Sequence, residues 1–191
     1  MARRPRGLAD GLYHLAAHGS DTRSLFVDDA DRADFLERLA ATLERFELAV
    51  VSYVLLGNHY HAFVRTPDAR LSDALRHLHT EYARAHNRRH HRGAHLFRAH
   101  PYLGEIQSDE QLVTASRYLA RNPLEAGLGR DPLAWRWSSA PAHAGLRRPP
   151  LPLAEGDLRA AFGGGARWRD RYRDYVSAGN AKEPTGAGAS G

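Results

Sequence analysis

The stretch from Leu48 to Arg65 constrains this chain most. LAVVSYVLL (48–56) and HYHAFVR (59–65) are both dense in β-branched, aromatic and aliphatic residues, and Gly57-Asn58 separates them. Two strand-type runs joined by two turn-forming residues predict an antiparallel hairpin. Helical periods flank it on both sides. In 28–46, Phe35, Leu36, Leu39, Leu43 and Phe46 share a helix face, and Asp28, Asp29 and Asp31 sit where a helix start favours acids. From Leu71 to about His90, Leu71, Leu75, Leu78, Tyr82 and Ala85 recur at helical spacing. Further out, GLYHLAAH (11–18) reads as a strand ended by Gly19-Ser20-Asp21, and Tyr102–Gln107 as another. Ser108-Asp-Glu-Gln111 has the S-x-x-Q pattern of a capping box. It opens a helix from Asp109 to about Arg121, with Asn122-Pro123 as the expected stop. Residues 129–157 read as irregular, and Arg167–Val176 as a final helix.

The order β, α, β, β, α, β, α predicts an α+β fold: a ferredoxin-like antiparallel sheet with helices packed on it. A core domain over 1–128, an extension over 129–177 packing on the core and a disordered small-residue tail over 178–191 are expected. A chain of 191 residues suits one domain that needs no staple. It has no cysteine, which excludes disulfide scaffolds, thiolate metal sites and cysteine nucleophiles. No apolar run approaches the ~20 residues that span a bilayer, so a soluble, cytoplasmic protein is expected.

Charge is concentrated. The net charge is +5, and Lys182 is the sole lysine among 27 basic residues. Residues 76–100 hold six arginines (76, 84, 88, 89, 92 and 98) against one acid, Glu81, so this stretch carries the whole surplus. It also holds seven of the twelve histidines. One cationic stretch on an otherwise neutral chain points to a polyanion, nucleic acid first, with a solvated basic helix face as the plain alternative.

The sharpest local feature is His59-Tyr60-His61. On a strand, residues i and i+2 face the same way, so the two imidazoles form a natural pair for a divalent metal. Two hydrogen-bonded surface histidines are the plain alternative. His77-Leu78-His79 repeats the pattern on a helix, where the rings diverge by about 200° and share no ion. Tyr118 and Asn122, at i and i+4, share a face of the last core helix. If that face covers the histidine pair, Asn122 offers an oxygen ligand and Tyr118 a phenol nucleophile. If it does not, Tyr118 is an ordinary core residue. Tyr82 and Tyr102 compete for the nucleophile role, but neither has an oxygen ligand four residues on. His90 and His91 read as loop surface or phosphate contacts, and Trp135 and Trp137 as packing.

Several segments together resemble the REP-associated tyrosine transposases of the HUH single-tyrosine superfamily. They are Tyr13-His-Leu, Gly57-Asn-His-Tyr-His61, Gly93-Ala-His-Leu-Phe97, Arg117-Tyr-Leu-Ala-Arg-Asn-Pro-Leu-Glu-Ala-Gly-Leu128 and Trp137-Ser-Ser139. They come in the family's order over residues 11–140, and Tyr172-Arg-Asp-Tyr-Val176 is similar to the extension of longer members. The resemblance implies that His59, His61 and Asn122 bind Mg²⁺ or Mn²⁺ and that Tyr118 attacks DNA. It implies cleavage and rejoining of single-stranded DNA near hairpins through a 5′-phosphotyrosine link, by a monomer or a homodimer, the monomer being favoured. Arg84, Arg88, Arg89, Arg92 and Arg98, with Arg121 beside the site, would hold the DNA. Three departures stand out: Gly57 where a proline is common, His18 in place of an arginine, and Ala99-His100-Pro101 where glycine–arginine–tyrosine is expected. A binding protein for structured nucleic acid that no longer cuts is the alternative reading, and a nuclease using activated water a third.

Overall fold

In the computed structural model, which describes residues 10–20, 24–93, 95–98 and 100–178, the first element is β1 (Gly11–His18). Helix α1 (Asp29–Arg45) follows, its N-cap Asp28 accepting a hydrogen bond from the Asp31 amide at 3.0 Å. Then come the hairpin strands β2 (Ala49–Leu55) and β3 (His59–Thr66), and helix α2 (Leu71–Arg89). Strand β4 (Tyr102–Ile106) and helix α3 (Asp109–Glu125) complete the core. The sheet order is β2-β3-β1-β4, with every neighbouring pair antiparallel. This is the ferredoxin-like arrangement, and the expected strand and helix order holds. The turn at Gly57 closes with the Leu56 amide on the His59 carbonyl at 3.0 Å, and a Cβ there would meet open space, so glycine is not required.

The strands alternate their side chains between two faces. Tyr13, Leu15, Ala17, Tyr53, Tyr60, Ala62 and Val64 turn to one face, where Phe35, Leu36 and Leu39 of α1 and Leu71, Leu75, Leu78 and Tyr82 of α2 close over them. Leu12, Val54 and Phe63 turn to the other, under Leu112, Leu119 and Ala120 of α3.

Helix α3 does not stop at Asn122-Pro123. A proline this close to a helix end forfeits one hydrogen bond without breaking the rod. The helix ends instead in a Schellman motif: the Leu128 amide donates to the Pro123 carbonyl at 2.8 Å, and the Gly127 amide to Leu124 at 3.0 Å. Gly127 has φ +70°, which glycine adopts without a Cβ penalty. At the other end, the Ser108 hydroxyl caps the Gln111 amide at 3.2 Å, while Gln111 Oε1 accepts from the Gln107 amide rather than from Ser108 itself.

Residues 129–157 are not wholly irregular. They contain α4 (Ala140–His143) and the start of α5 (Gly156–Ala161), and α6 (Trp168–Ser177) follows. Leu158, Phe162, Trp168, Tyr172 and Val176 join the α3 side of the core. The Leu55 amide donates to the Trp137 carbonyl (2.8 Å), the Ser139 amide to Tyr53 (2.9 Å) and the Ala154 amide to Val50 (2.8 Å), fastening this region along β2. Beneath it runs a buried polar chain. Ser52 Oγ lies 3.0 Å from His143 Nε2, His143 Nδ1 lies 3.0 Å from Glu155, and Arg169 pairs with Glu155 at 2.6 Å. Arg65 forks onto Asp157 with bonds of 2.7 and 2.8 Å. Trp135 donates to the Leu55 carbonyl and Trp137 to Asp29, so both indoles serve packing. The tail beyond Ala178 and the residues before Asp10 lie outside the described residues, as do Ala94 and Ala99.

Candidate active site

The α3 face of the sheet is apolar at one end and imidazole-lined at the other. His59 and His61 project from β3 with ring centroids 5.3 Å apart. In the antiparallel register His18 stands opposite His59, and His14 opposite Phe63. The His18 and His59 rings stack at 4.8 Å, and His14 Nε2 lies 3.0 Å from His61 Nδ1. Four histidines therefore share one face of the two central strands. His14 had no role in the sequence reading, although its i, i+4 spacing to His18 on a strand already places the two on one face.

Helix α3 brings the other two residues. The Tyr118 ring meets His61 edge-on at 5.7 Å between centroids, and Tyr118 is 44% exposed. Asn122, one turn on, is buried against His59. The structure thus brings His59, His61, Tyr118 and Asn122 together within one chain.

All four imidazoles are held neutral. Burial, then the neighbouring His14, His59 and His18, push the His61 pKa down to about 3. Burial and His18 lower that of His59, against an opposing pull from the Asn122 side chain. Burial lowers His14, and burial with Arg98 lowers His18. Neutral imidazoles are the form that ligates metals.

The donor set fits a divalent cation. The Asn58 oxygen lies 2.7 Å from His59 Nδ1 and accepts a hydrogen bond from its N–H, which leaves Nε2 as the ring's lone pair. The Nδ2 of buried Asn122 has no partner, so its oxygen is the atom turned to His59. The His59 ring and the Asn122 oxygen thus lie side by side, a nitrogen and an oxygen donor that a divalent cation takes together.

The basic residues divide. Helix α2 packs on the opposite face of the sheet, so Arg84, Arg88 and Arg89 are not brought to the histidine face. Arg84 pairs with Glu81, and Arg89 is engaged with Asp28 and Asp31. Arg92 is exposed beyond the C-terminus of α2. Arg98 does adjoin the site: its amide donates to the His18 carbonyl at 2.9 Å. Arg121 reaches the Val176 and Ala178 carbonyls at 3.5 and 3.4 Å and so ties α3 to α6.

The competing tyrosines separate too. Tyr82 is buried, its hydroxyl donating to the Leu25 carbonyl. Tyr102 is 59% exposed and edges His14 at 5.5 Å, on the rim of the site. His77 and His79 diverge, His77 onto Phe46 and His79 onto Phe97 and the Tyr60 hydroxyl. His90 is not loop surface: its Nε2 lies 2.9 Å from Asp31, where it forms a second group of metal-type donors with His86.

No family model matches the chain, and no curated protein does. The solved structures that are similar include the following two. One is a REP-associated tyrosine transposase bound to a REP hairpin, at 14% identity and TM-score 0.66, over 78% of this chain and 88% of that one. The other is a protein of Deinococcus radiodurans assigned as a transposase, at 18% identity and TM-score 0.44, over 61% and 95%. Among the described residues no helix is long and apolar enough to cross a membrane. The chain carries the fold of a REP-associated tyrosine transposase, the family that its ordered motifs resemble.

Proposed function

We propose that this chain is a metal-dependent tyrosine transposase that cuts and rejoins single-stranded DNA beside hairpins. One observation carries the reading: Tyr118 and Asn122, on one face of α3, close over the His59–His61 pair within a single chain. The fold likeness to a transposase bound to a REP hairpin supports a DNA partner.

His59, His61 and Asn122 would hold Mg²⁺ or Mn²⁺, and a mixed nitrogen and oxygen set suits Mn²⁺ better than the harder Mg²⁺. Bound there, such an ion would polarise the scissile phosphate and offset charge that develops on it. The phenol oxygen of Tyr118 attacks phosphorus and its proton passes to solvent, which its exposed position admits. The bond from phosphorus to the 3′ oxygen breaks, and that oxygen takes up a proton. A 5′-phosphotyrosine link and a free 3′-hydroxyl result. The ester keeps the bond energy, so a second 3′-hydroxyl can displace Tyr118 and rejoin strands without ATP. Asn58 orients His59, and His14 orients His61. Arg98, next to His18, would meet backbone phosphate.

The test is a pool of hairpin-bearing oligonucleotides labelled at the 3′ end and incubated with the protein and Mn²⁺. A labelled adduct that survives denaturation is expected for the wild type and for Tyr102→Phe, and none for Tyr118→Phe. Cleavage persisting in Tyr118→Phe would point to activated water. Hairpin binding by the wild type with no adduct would mean a protein that holds DNA without cutting it.

A further inference from the structure

On the face of the sheet away from Tyr118, the N-terminal turn of α1 meets the C-terminal turn of α2. His86 and His90, at i and i+4, present their rings together toward Asp31, with ring centroids 4.4 Å apart. Each of the three side chains offers a ligand atom within 4.8 Å of the others. His90 Nε2 lies 2.9 and 3.0 Å from the two Asp31 oxygens, and His86 Nε2 lies 3.9 Å from Oδ2. Ligand atoms of a tetrahedral zinc are about 3.3 Å apart, so a small rotation of these rings closes the set.

One feature points to a missing ligand, and it lies at His86. The His86 side chain is fully buried, and neither of its ring nitrogens has a hydrogen-bond partner. Buried polar groups are rarely left so. Asp31 is 2% exposed, and although burial pushes its carboxyl pKa up, bonds from His90, the Val27 amide and Arg89 hold it net below the ordinary range. A buried carboxylate beside two imidazoles is the donor chemistry of zinc, cobalt or nickel. Arg89 touches Asp31, but it also grips Asp28 with bonds of 2.6 and 2.9 Å and keeps those if it cedes Asp31. A cleft of about 280 Å³ beside the cluster is lined in part by Asp31, His86 and Arg89.

We infer that Asp31, His86 and His90 form a three-ligand site for a zinc-type ion, which when bound would staple the start of α1 to the end of α2, separate from the His59–His61 pair. The staple would set the exit of α2 into the basic segment that holds Arg92 and Arg98.

The test uses the full chain carrying His59→Ala and His61→Ala, stripped with a chelator and titrated with Co²⁺. One equivalent of cobalt with tetrahedral absorption is expected, as is a Tm that rises with added Zn²⁺. His90→Ala, a partly exposed position, should remove both responses in a chain that still gives the native circular dichroism. His90→Gln, nearer in shape, should weaken cobalt by more than about 10-fold, the least that losing even an outer partner of a metal ligand costs. Absence of bound cobalt in the double variant, or unchanged affinity after His90→Gln, overturns the inference.

Discussion

The two faces of the sheet are made by the same strands and are used in opposite ways. On one, Tyr13, Leu15, Tyr53, Tyr60 and Ala62 are sealed by α1 and α2 into an aromatic core centred on Phe35 and Tyr82. On the other, the intervening residues His14, His18, His59 and His61 are partly covered by α3 and left beside an exposed tyrosine. Alternation of period two puts a packing residue and a chemical residue side by side, so stability and chemistry come from the same backbone but from separate side chains. Substitutions on the two faces should therefore produce different losses.

The largest expected effect is on chemistry alone. Tyr118→Phe should abolish the DNA adduct while moving unfolding free energy by less than about 0.5 kcal/mol, because the side chain is largely exposed. Adduct assay and urea denaturation on the same preparation check this, and a large stability loss would break the division between faces. The converse is Phe35→Ala, which empties a fully buried ring site and should cost about 3–5 kcal/mol by denaturation. The histidine face should also show in pH dependence. With the His61 pKa at about 3 when folded against 6.5 when free, the unfolded chain binds the extra proton between these values. Stability therefore falls as pH drops through that window, by about 2 kcal/mol near pH 5 relative to pH 8 for this group. His61→Gln should flatten that part of the slope, leaving the parts due to the other histidines with lowered pKa, among them His79, held at about 4 by burial on the packing face. Smallest is Asp157→Ala, which frees Arg65 from its half-exposed fork and should cost about 1 kcal/mol or less.

Much of this was readable from residue order. The periods of 11–18, 28–46, 48–56, 59–65 and 71–90 are consistent, and each corresponds to an element within a residue or two. Short helices such as α4, four residues long, are set by contacts and not by a repeat of their own, so 129–157 read as irregular. The end of α3 was misplaced because Pro123 is a louder signal than Gly127, yet a proline in a last turn can be tolerated and a left-handed glycine is what stops the rod. Within the site, the strand and helix periods predict that His59 pairs with His61 and Tyr118 with Asn122. That these faces meet depends on tertiary packing, which local periods do not contain. Likewise His86 and His90 find Asp31 more than fifty residues away, so no local pattern joins them.

The hydrogen bonds that Val50, Tyr53 and Leu55 exchange with Trp137, Ser139 and Ala154 have a consequence for self-association. A sheet's outermost strand is an open template for another chain, and here β2 is already occupied by its own polypeptide. The opposite boundary is β4, five residues long, with Gly104 and Glu105 in it. A short strand carrying a glycine and a carboxylate is a poor seed for edge-to-edge growth. Copies of this protein are thus discouraged from joining their sheets, which suits a chain whose proposed active site is complete in one copy.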